Sequence, residues 1–305
     1  MNVLAALLLA PLLQGVVRRI KALFAGRSGA PLLQGYFDLI KLLQRASVYS
    51  RTTSWVFPAG PVLSLAATLG ALCLVPLAGT PALFHFRGDL FVVLYLLALV
   101  RFMTVLAALD TGSAFEGMGA SREVLFSALA EPATMVALIS LARASGVGAQ
   151  GSLSAIYAHL SPALWGTLGG GLVLVAAALF VVFLAENARI PFDDPTTHLE
   201  LTMVHEVMVL DHSGPDLALI ELGVALKFWL LGSLVCGLVI PIRTGTLALD
   251  GAAGVAGLLG LAIGTGIVES SMARLRLLRV PQMLLGAGVL ASCGMLLVFG
   301  GGSSL

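Results

Sequence analysis

Residues Pro162–Gly214 read PALWGTLGGGLVLVAAALFVVFLAENARIPFDDPTTHLELTMVHEVMVLDHSG. The first part, Pro162 to Leu184, runs for about twenty residues without a charge, which is enough for a helix to cross the hydrocarbon core of a bilayer. The remainder, Ala185 to Gly214, gathers a dense set of carboxylates and three of the five histidines of the chain. The chain is 58% hydrophobic and only 11% charged. In such a sequence, ionisable groups at or below a membrane surface are costly to keep, and they mark functional sites. The pairing of the two parts predicts a membrane protein that handles protons.

Working outward, a mean hydropathy of +1.01 excludes an ordinary soluble domain. Apolar segments lie near 2–23, 55–78, 90–109, 132–147, 164–185, 217–241, 251–271 and 282–300. They predict an all-α polytopic membrane protein of about eight transmembrane helices forming one integral membrane domain over 1–305. The first segment has its positive charges after the apolar run and no small-residue cleavage site, so it is expected to remain as an anchor. The net charge of +1 gives no basic field, so nucleic acid is not an expected partner, whereas the lipid bilayer is. Cys73, Cys236 and Cys293 stand singly in apolar surroundings, the pattern of packing residues and not of metal ligands.

Lysine and arginine set the expected orientation. Loops after the first, third, fifth and seventh spans hold Arg18, Arg19, Lys21, Arg27, Lys41, Arg45, Arg51, Arg122, Arg189, Arg274, Arg276 and Arg279; the opposite side holds Arg87, Arg143 and Arg243. The positive-inside bias then puts the first set in the cytoplasm and both termini outside, with an inner membrane location expected. Segments 24–54, 110–131 and 186–216 become cytoplasmic. Within the first of these, Gly29 to Leu43 carries Gln34, Asp38 and Lys41 at spacings of four and three among leucines and aromatics, which predicts an amphipathic helix lying along the interface. It reads equally as a plain connector or as a docking or pocket-lining surface.

The segment 110–131 holds Asp110, Glu116, Glu123 and Glu131 beside a single Arg122. Spacings of seven and eight put the last three on one helical face, although Gly117 and Gly119 argue against an unbroken helix. The alternatives are a solvated polar face and a proton route inward. In the island after the fifth span, Asp194 and Pro195 suit a helix start, and Thr197 with Glu200 suits a capping box. His198, His205 and His212 then recur every seven residues, with Glu206 and Asp211 nearby. On one helix they are about 10 Å apart, too far to share a metal ion, so titrating or hydrogen-bonding histidines are the alternative to packing. Glu221, Lys227 and Arg101 fall inside apolar spans and require partners there, while Glu269 closes the seventh span. Arg274, Arg276 and Arg279 read as topology anchors.

Four ordered motifs carry a family likeness: PLLQGYFDLIKLL (Pro31–Leu43), LDTGSAFEGMGASRE (Leu109–Glu123), ENARIPFDDPTTHLELTMVHE (Glu186–Glu206) and ESSMARLRLLR (Glu269–Arg279). Together they resemble the membrane subunit of formate hydrogenlyase, hydrogenase-4 and related energy-converting nickel–iron hydrogenases, within the wider respiratory complex I subunit 1 family. The resemblance spans essentially the full chain. It implies a subunit with no cofactor of its own, the nickel–iron (NiFe) centre and iron–sulfur clusters residing in partner subunits. Those partners are hydrogenase-like large and small subunits and an iron–sulfur subunit of a hydrophilic arm, together with antiporter-like membrane subunits.

By the same resemblance, Glu186, Arg189, Pro191, Asp193 and Asp194 form a loop facing the arm. Asp110, Glu116, Glu123, Glu131, Glu200, Glu206, Glu221, Lys227 and Glu269 are the expected proton path. Where relatives carry Glu, an aromatic and Ser-Gly, this chain has Asp211-His212-Ser213-Gly214. Two other functions remain open at this level. One is a complex I type subunit with a quinone tunnel, and the other is a self-sufficient secondary transporter, for which no internal symmetry is seen.

Overall fold

The computed structural model describes residues 2–148, 150–193, 203–241 and 243–301. In chain order the helices are α1 (Asn2–Phe24), α2 (Gln34–Leu43), α3 (Val56–Leu74), α4 (Asp89–Asp110), α5 (Ala114–Ala144), α6 (Leu153–His159), α7 (Pro162–Glu186), α8 (Gly214–Val239), α9 (Leu247–Ser271) and α10 (Val280–Gly301). Single 3-10 turns lie at Glu206–Val209 and Leu277–Arg279. All of these except α2, α6 and the turn at Glu206–Val209 belong to eight candidate spans, each long and apolar enough to cross a membrane. In hydrocarbon every backbone group must be satisfied inside its own segment, which is why an apolar chain of this composition resolves into helices.

Proline sets helix starts. Pro162 opens α7 after Ser161 and Pro215 opens α8 after Ser213, positions where the missing N–H is no loss. With eight crossings, α2, the α4–α5 turn, the α7–α8 loop and the α9–α10 connection share one face, called here the loop face. Helix α2 lies there, and Leu33, Phe37, Ile40 and Leu43 are exposed along it. That apolar stripe facing outward is what an interfacial helix presents to lipid.

Helix α8 is the hub, in contact with α1, α2, α3, α7 and α9. Of its most apolar stretch, 72% is buried inside the bundle, so its side chains meet protein and not lipid. Helices α5, α7 and α10 form a second packed group. There the backbones of α7 and α10 touch: a Cβ placed on Gly171 would lie 3.0 Å from the carbonyl oxygen of Gly294, and the reverse holds for Gly294 and Gly171. Small residues permit this close approach where no hydrophobic force separates helix from lipid.

Two expectations change. The acidic segment 110–131 belongs for most of its length to one unbroken helix, α5, despite Gly117 and Gly119. Gly119 serves packing: a Cβ there would sit 2.3 Å from Val207 Cγ1 and 2.9 Å from the Val204 carbonyl oxygen. The 3-10 turn at Glu206–Val209 is seated on that bare backbone. The histidine stripe does not form, because the turn ends at Val209 and Leu210–Ser213 is not helical, so His205 and His212 do not share a helix. His198, together with Asp194, Pro195, Thr197 and Glu200, lies outside the described residues.

The bundle interior also closes through one polar chain. Trp229 Nε1 donates to Asn2 Oδ1 at 2.9 Å, and Asn2 Nδ2 donates to the Val75 carbonyl at 2.8 Å. Trp229→Phe keeps the ring but strands the Asn2 oxygen, which is expected to cost about 1 kcal/mol. The readout is a lower thermal midpoint in detergent; an unchanged midpoint would mean the bond contributes nothing.

Candidate functional site

Two cations inside the spans dictate the site. Arg101 lies well inside α4 and Lys227 is near the middle of α8, where neither reaches bulk water, so each requires an anion. Glu186, the last residue of α7, answers both. One of its carboxylate oxygens accepts from Arg101 Nη1, and the other lies 2.8 Å from Lys227 Nζ. Arg101 Nη2 donates in turn to Glu131 on α5. Four helices are thereby joined by one ionic cluster. Glu123 on α5 adds a third carboxylate, within electrostatic reach of Lys227, Glu186 and Arg101. Three carboxylates against two cations leave one negative charge over, so the cluster accepts one proton without exceeding neutrality.

Small cavities connect this cluster to the loop face. A cavity of about 50 Å³ is bounded by Arg101, Glu123, His205, Met208 and Lys227. Glu123 also borders a space of about 20 Å³ against Ser127, Glu186 and Asp193. His205 is the shared wall between the 50 Å³ cavity and a chamber of about 340 Å³ lined by Arg18, Lys21, Arg189, Asp193, Glu206 and Glu221. Through Gln14, Arg18 and Glu221 this chamber adjoins a cavity of about 140 Å³ beneath α2, against Asp38. A buried water needs on the order of 10–15 Å³ of such space, so even the smallest cavity accommodates one.

The loop after α7 is held inward by its own charges. Arg189 lies 3.4 Å from Glu269, and Lys21 reaches the other oxygen of Glu269 at 2.9 Å. Asp193 accepts the Val204 and His205 N–H groups at 3.0 and 3.2 Å and pairs with Arg274 at 3.0 Å. The Ile190–Pro191 peptide is cis. The expected arm-facing loop is therefore corrected in part: the Glu186, Arg189, Pro191 and Asp193 side chains turn into the protein, because charges at the edge of an apolar bundle find partners across it. Asp194 lies outside the described residues.

The other expected residues divide by position. Glu123, Lys227 and Glu131 join the cluster, and Glu206 and Glu221 line the chamber. Glu269 sits in the loop-face ion pairs. Asp110 instead accepts both the N–H and the hydroxyl of Ser54, at 2.7 and 2.8 Å, and ties the α2–α3 connection down. Glu116 is buried and accepts the Asp211 N–H at 3.2 Å. On α2, Gln34 donates to Asp38 at 2.8 Å, and Lys41 is exposed. Glu200 lies outside the described residues. Sequence reasoning missed Gln14, Lys21 and Arg274 as site residues. Gln14 in an otherwise apolar run was the one usable signal, since Lys21 and Arg274 look like ordinary topology anchors.

His205 is held below its ordinary value, first by burial and then by Lys227, with Asp193 and Glu221 opposing. It is neutral at pH 7, as a proton relay between two cavities requires.

The whole chain can now be set beside known proteins. The sequence profile of the NADH dehydrogenase family matches residues 1–300. The chain belongs to this family. Among its relatives, formate hydrogenlyase subunit 4 of Escherichia coli (strain K12) is 32% identical over 285 residues, covering 90% of this chain and 89% of the relative. Hydrogenase-4 component C of the same organism is 35% identical over 235 residues, covering 77% and 72%. A chain in the structure of the membrane-bound sulfane sulfur reductase, an archaeal respiratory membrane complex, superposes with a TM-score of 0.81 at 19% identity, covering 97% of this chain and 96% of its own length. This member of the NADH dehydrogenase family thus shares its fold with a chain of a respiratory membrane complex, and its sequence relatives are hydrogenase-type membrane subunits.

The ionic cluster gives this family member two measurable properties. Glu186→Gln leaves Arg101 and Lys227 short of an anion and is expected to cost about 3–5 kcal/mol. Adding Lys227→Met should restore about 1–3 kcal/mol of that, read as coupling in a double-mutant cycle of detergent stability; strict additivity would dissolve the pairing. For His205 the folded state binds fewer protons than the unfolded chain. Its contribution is complete above about pH 6.5 and is lost as pH falls from there through the lower folded value. Thermal midpoints measured from pH 8 to pH 5 should fall less steeply in His205→Gln than in the parent; parallel curves would remove His205 from the account.

Proposed function

We propose that this chain is the membrane-anchor and proton-path subunit of a complex I-like, energy-converting oxidoreductase of the hydrogenase type. The observation that carries this reading is the buried cluster of Glu123, Arg101, Lys227, Glu186 and Glu131, reached from the loop face through cavities that share His205. A proton enters the chamber beside Glu206 and Glu221 and is relayed by His205 to Glu123. It is then redistributed among carboxylates whose cations stay in place. Glu131, half-exposed on the outer side of α5, is where a neighbouring antiporter-like membrane subunit takes the path onward. The inward-held loop is the coupling element, because Asp193 fixes the His205 backbone and Arg274 fixes Asp193. Docking of a hydrophilic arm with hydrogenase-like large and small subunits and an iron–sulfur subunit would bear on this loop from the cytoplasm. The NiFe centre and iron–sulfur clusters belong to that arm, in an inner-membrane assembly with both termini of this chain outside.

Magnitudes fit the reading. Moving one charge against 100 mV costs about 2.3 kcal/mol, or about 1.7 pKa units at 1.36 kcal/mol per unit. Working against roughly 150–200 mV therefore takes a change of about 3 units, within what burial and paired charge impose and beyond what a surface carboxylate undergoes. Glu123→Gln should lower redox-linked proton translocation at least about tenfold, equal to 1.4 kcal/mol on a rate. Dye-linked redox turnover in the arm should stay within about twofold. Unchanged translocation in this variant would sink the proposal.

A second reading has one observation behind it. The cavity under α2 adjoins the polar chamber through Gln14, Arg18 and Glu221, as a complex I type subunit with a quinone tunnel would require. Quinone reduction without hydrogen evolution by the purified assembly would favour it.

A further inference from the structure

Outside the central cluster, three buried polar groups meet where the connectors of the loop face converge. His212 stacks flat on Phe57 of α3, with ring centroids 4.0 Å apart and planes 9° from parallel. Its Nδ1 is buried and has no hydrogen-bond partner. Asp216, in the first turn of α8, is 8% exposed and keeps one carboxylate oxygen without a partner. Glu116, in the first turn of α5, is 1% exposed; one oxygen accepts the Asp211 N–H and the other is unpartnered. The α2–α3 connection straps this pocket closed: the Val48 N–H donates to Ser213 Oγ at 3.0 Å, and Tyr49 sets its ring edge-on to Phe57 beside Asp216. A stack on phenylalanine needs only an aromatic ring. An imidazole there, with a bare nitrogen and two incompletely bonded carboxylates, is chemistry that stacking does not explain.

We propose that His212, Asp216 and Glu116 form a second proton-accepting site, distinct from the central cluster. The proton comes from water at the loop face and binds Nδ1 of the neutral ring. The imidazolium so formed is balanced by the Asp216 carboxylate, and its flat face remains on Phe57, where a cation over a ring is tolerated or favoured. The groups facing His212 are Asp216 from α8, Asp211 of its own segment, Glu116 from α5 and Tyr49 from the strap, so acidic groups surround it. Burial is what holds His212 below its ordinary value, with Asp216 and Asp211 pulling the other way.

Apolar packing separates the two sites. Met208 borders the 50 Å³ cavity with Glu123 and Lys227, and it packs on Ala108 and Ala120, the latter one turn beyond Glu116. What a captured proton does next rests on the reading of the central cluster given above; whether it is captured does not.

The test is an infrared pH titration of the idle, purified assembly between pH 8 and pH 5, in the parent and in His212→Phe and Asp216→Asn. His212→Phe preserves the stack, and His212→Tyr serves if it does not assemble. Uptake of about one proton with a midpoint below about 6.5, linked to imidazole bands, should vanish in His212→Phe and move to lower pH in Asp216→Asn. Difference spectra that are identical in the parent and His212→Phe would overturn the site. So would an imidazole titration indifferent to Asp216→Asn. A normal titration in an assembly that translocates no protons supports this site and counts against the central-cluster reading.

Discussion

The clamp of Glu186 between Arg101 and Lys227 is the constraint on which the rest depends. Neither cation could remain in its span without that carboxylate, and the carboxylate could not be buried without both cations. Its position at the very end of α7 means that the loop beginning at Asn187 departs from a fixed point inside the protein. Fixing the start of the loop fixes where Arg189 and Asp193 fall, and these in turn draw in Glu269, Lys21 and Arg274. Charge balance therefore reaches from the interior to the loop face through one short stretch of chain.

The cavities follow from the same economy of polar groups. Side chains that must satisfy one another across helices cannot also fill space as leucine does. Gaps remain at the places where Glu123, His205 and Glu221 approach α8 and its neighbours. Gly119 has the opposite effect. By giving up a side chain it lets Val207 and Met208 settle onto α5 and close off an opening that would otherwise run between Glu116 and Glu123. Open and closed stretches of the interior thus have separate causes, one electrostatic and one steric.

The fold was largely legible in the sequence, since uninterrupted apolar runs of span length admit few alternatives in a bilayer. The acid set was legible too, because a carboxylate beside an apolar run stands out at 11% charged residues. Partnership was not. Arg101 and Glu186 are 85 positions apart and Arg189 and Glu269 are 80 apart, and no spacing rule links residues across helices. Lys21 and Arg274 look like topology anchors, and only the packing of α1 and α9 makes them partners of buried acids. The histidine spacing misled because a period of seven means a shared face only while the helix lasts, and here it gives way to a single 3-10 turn. The glycines of α5 misled likewise: a residue that weakens an isolated helix is what a crowded interface selects.

Glu131 carries a last consequence. Its side chain is 47% exposed although it shares Arg101 with the buried Glu186. One end of the network is thus open at the flank of the bundle, so its protonation state belongs jointly to this chain and to whatever lies against α5. Studied alone in micelles, the subunit would titrate as a different object from the one that works in the membrane, with detergent and water standing in for a missing wall.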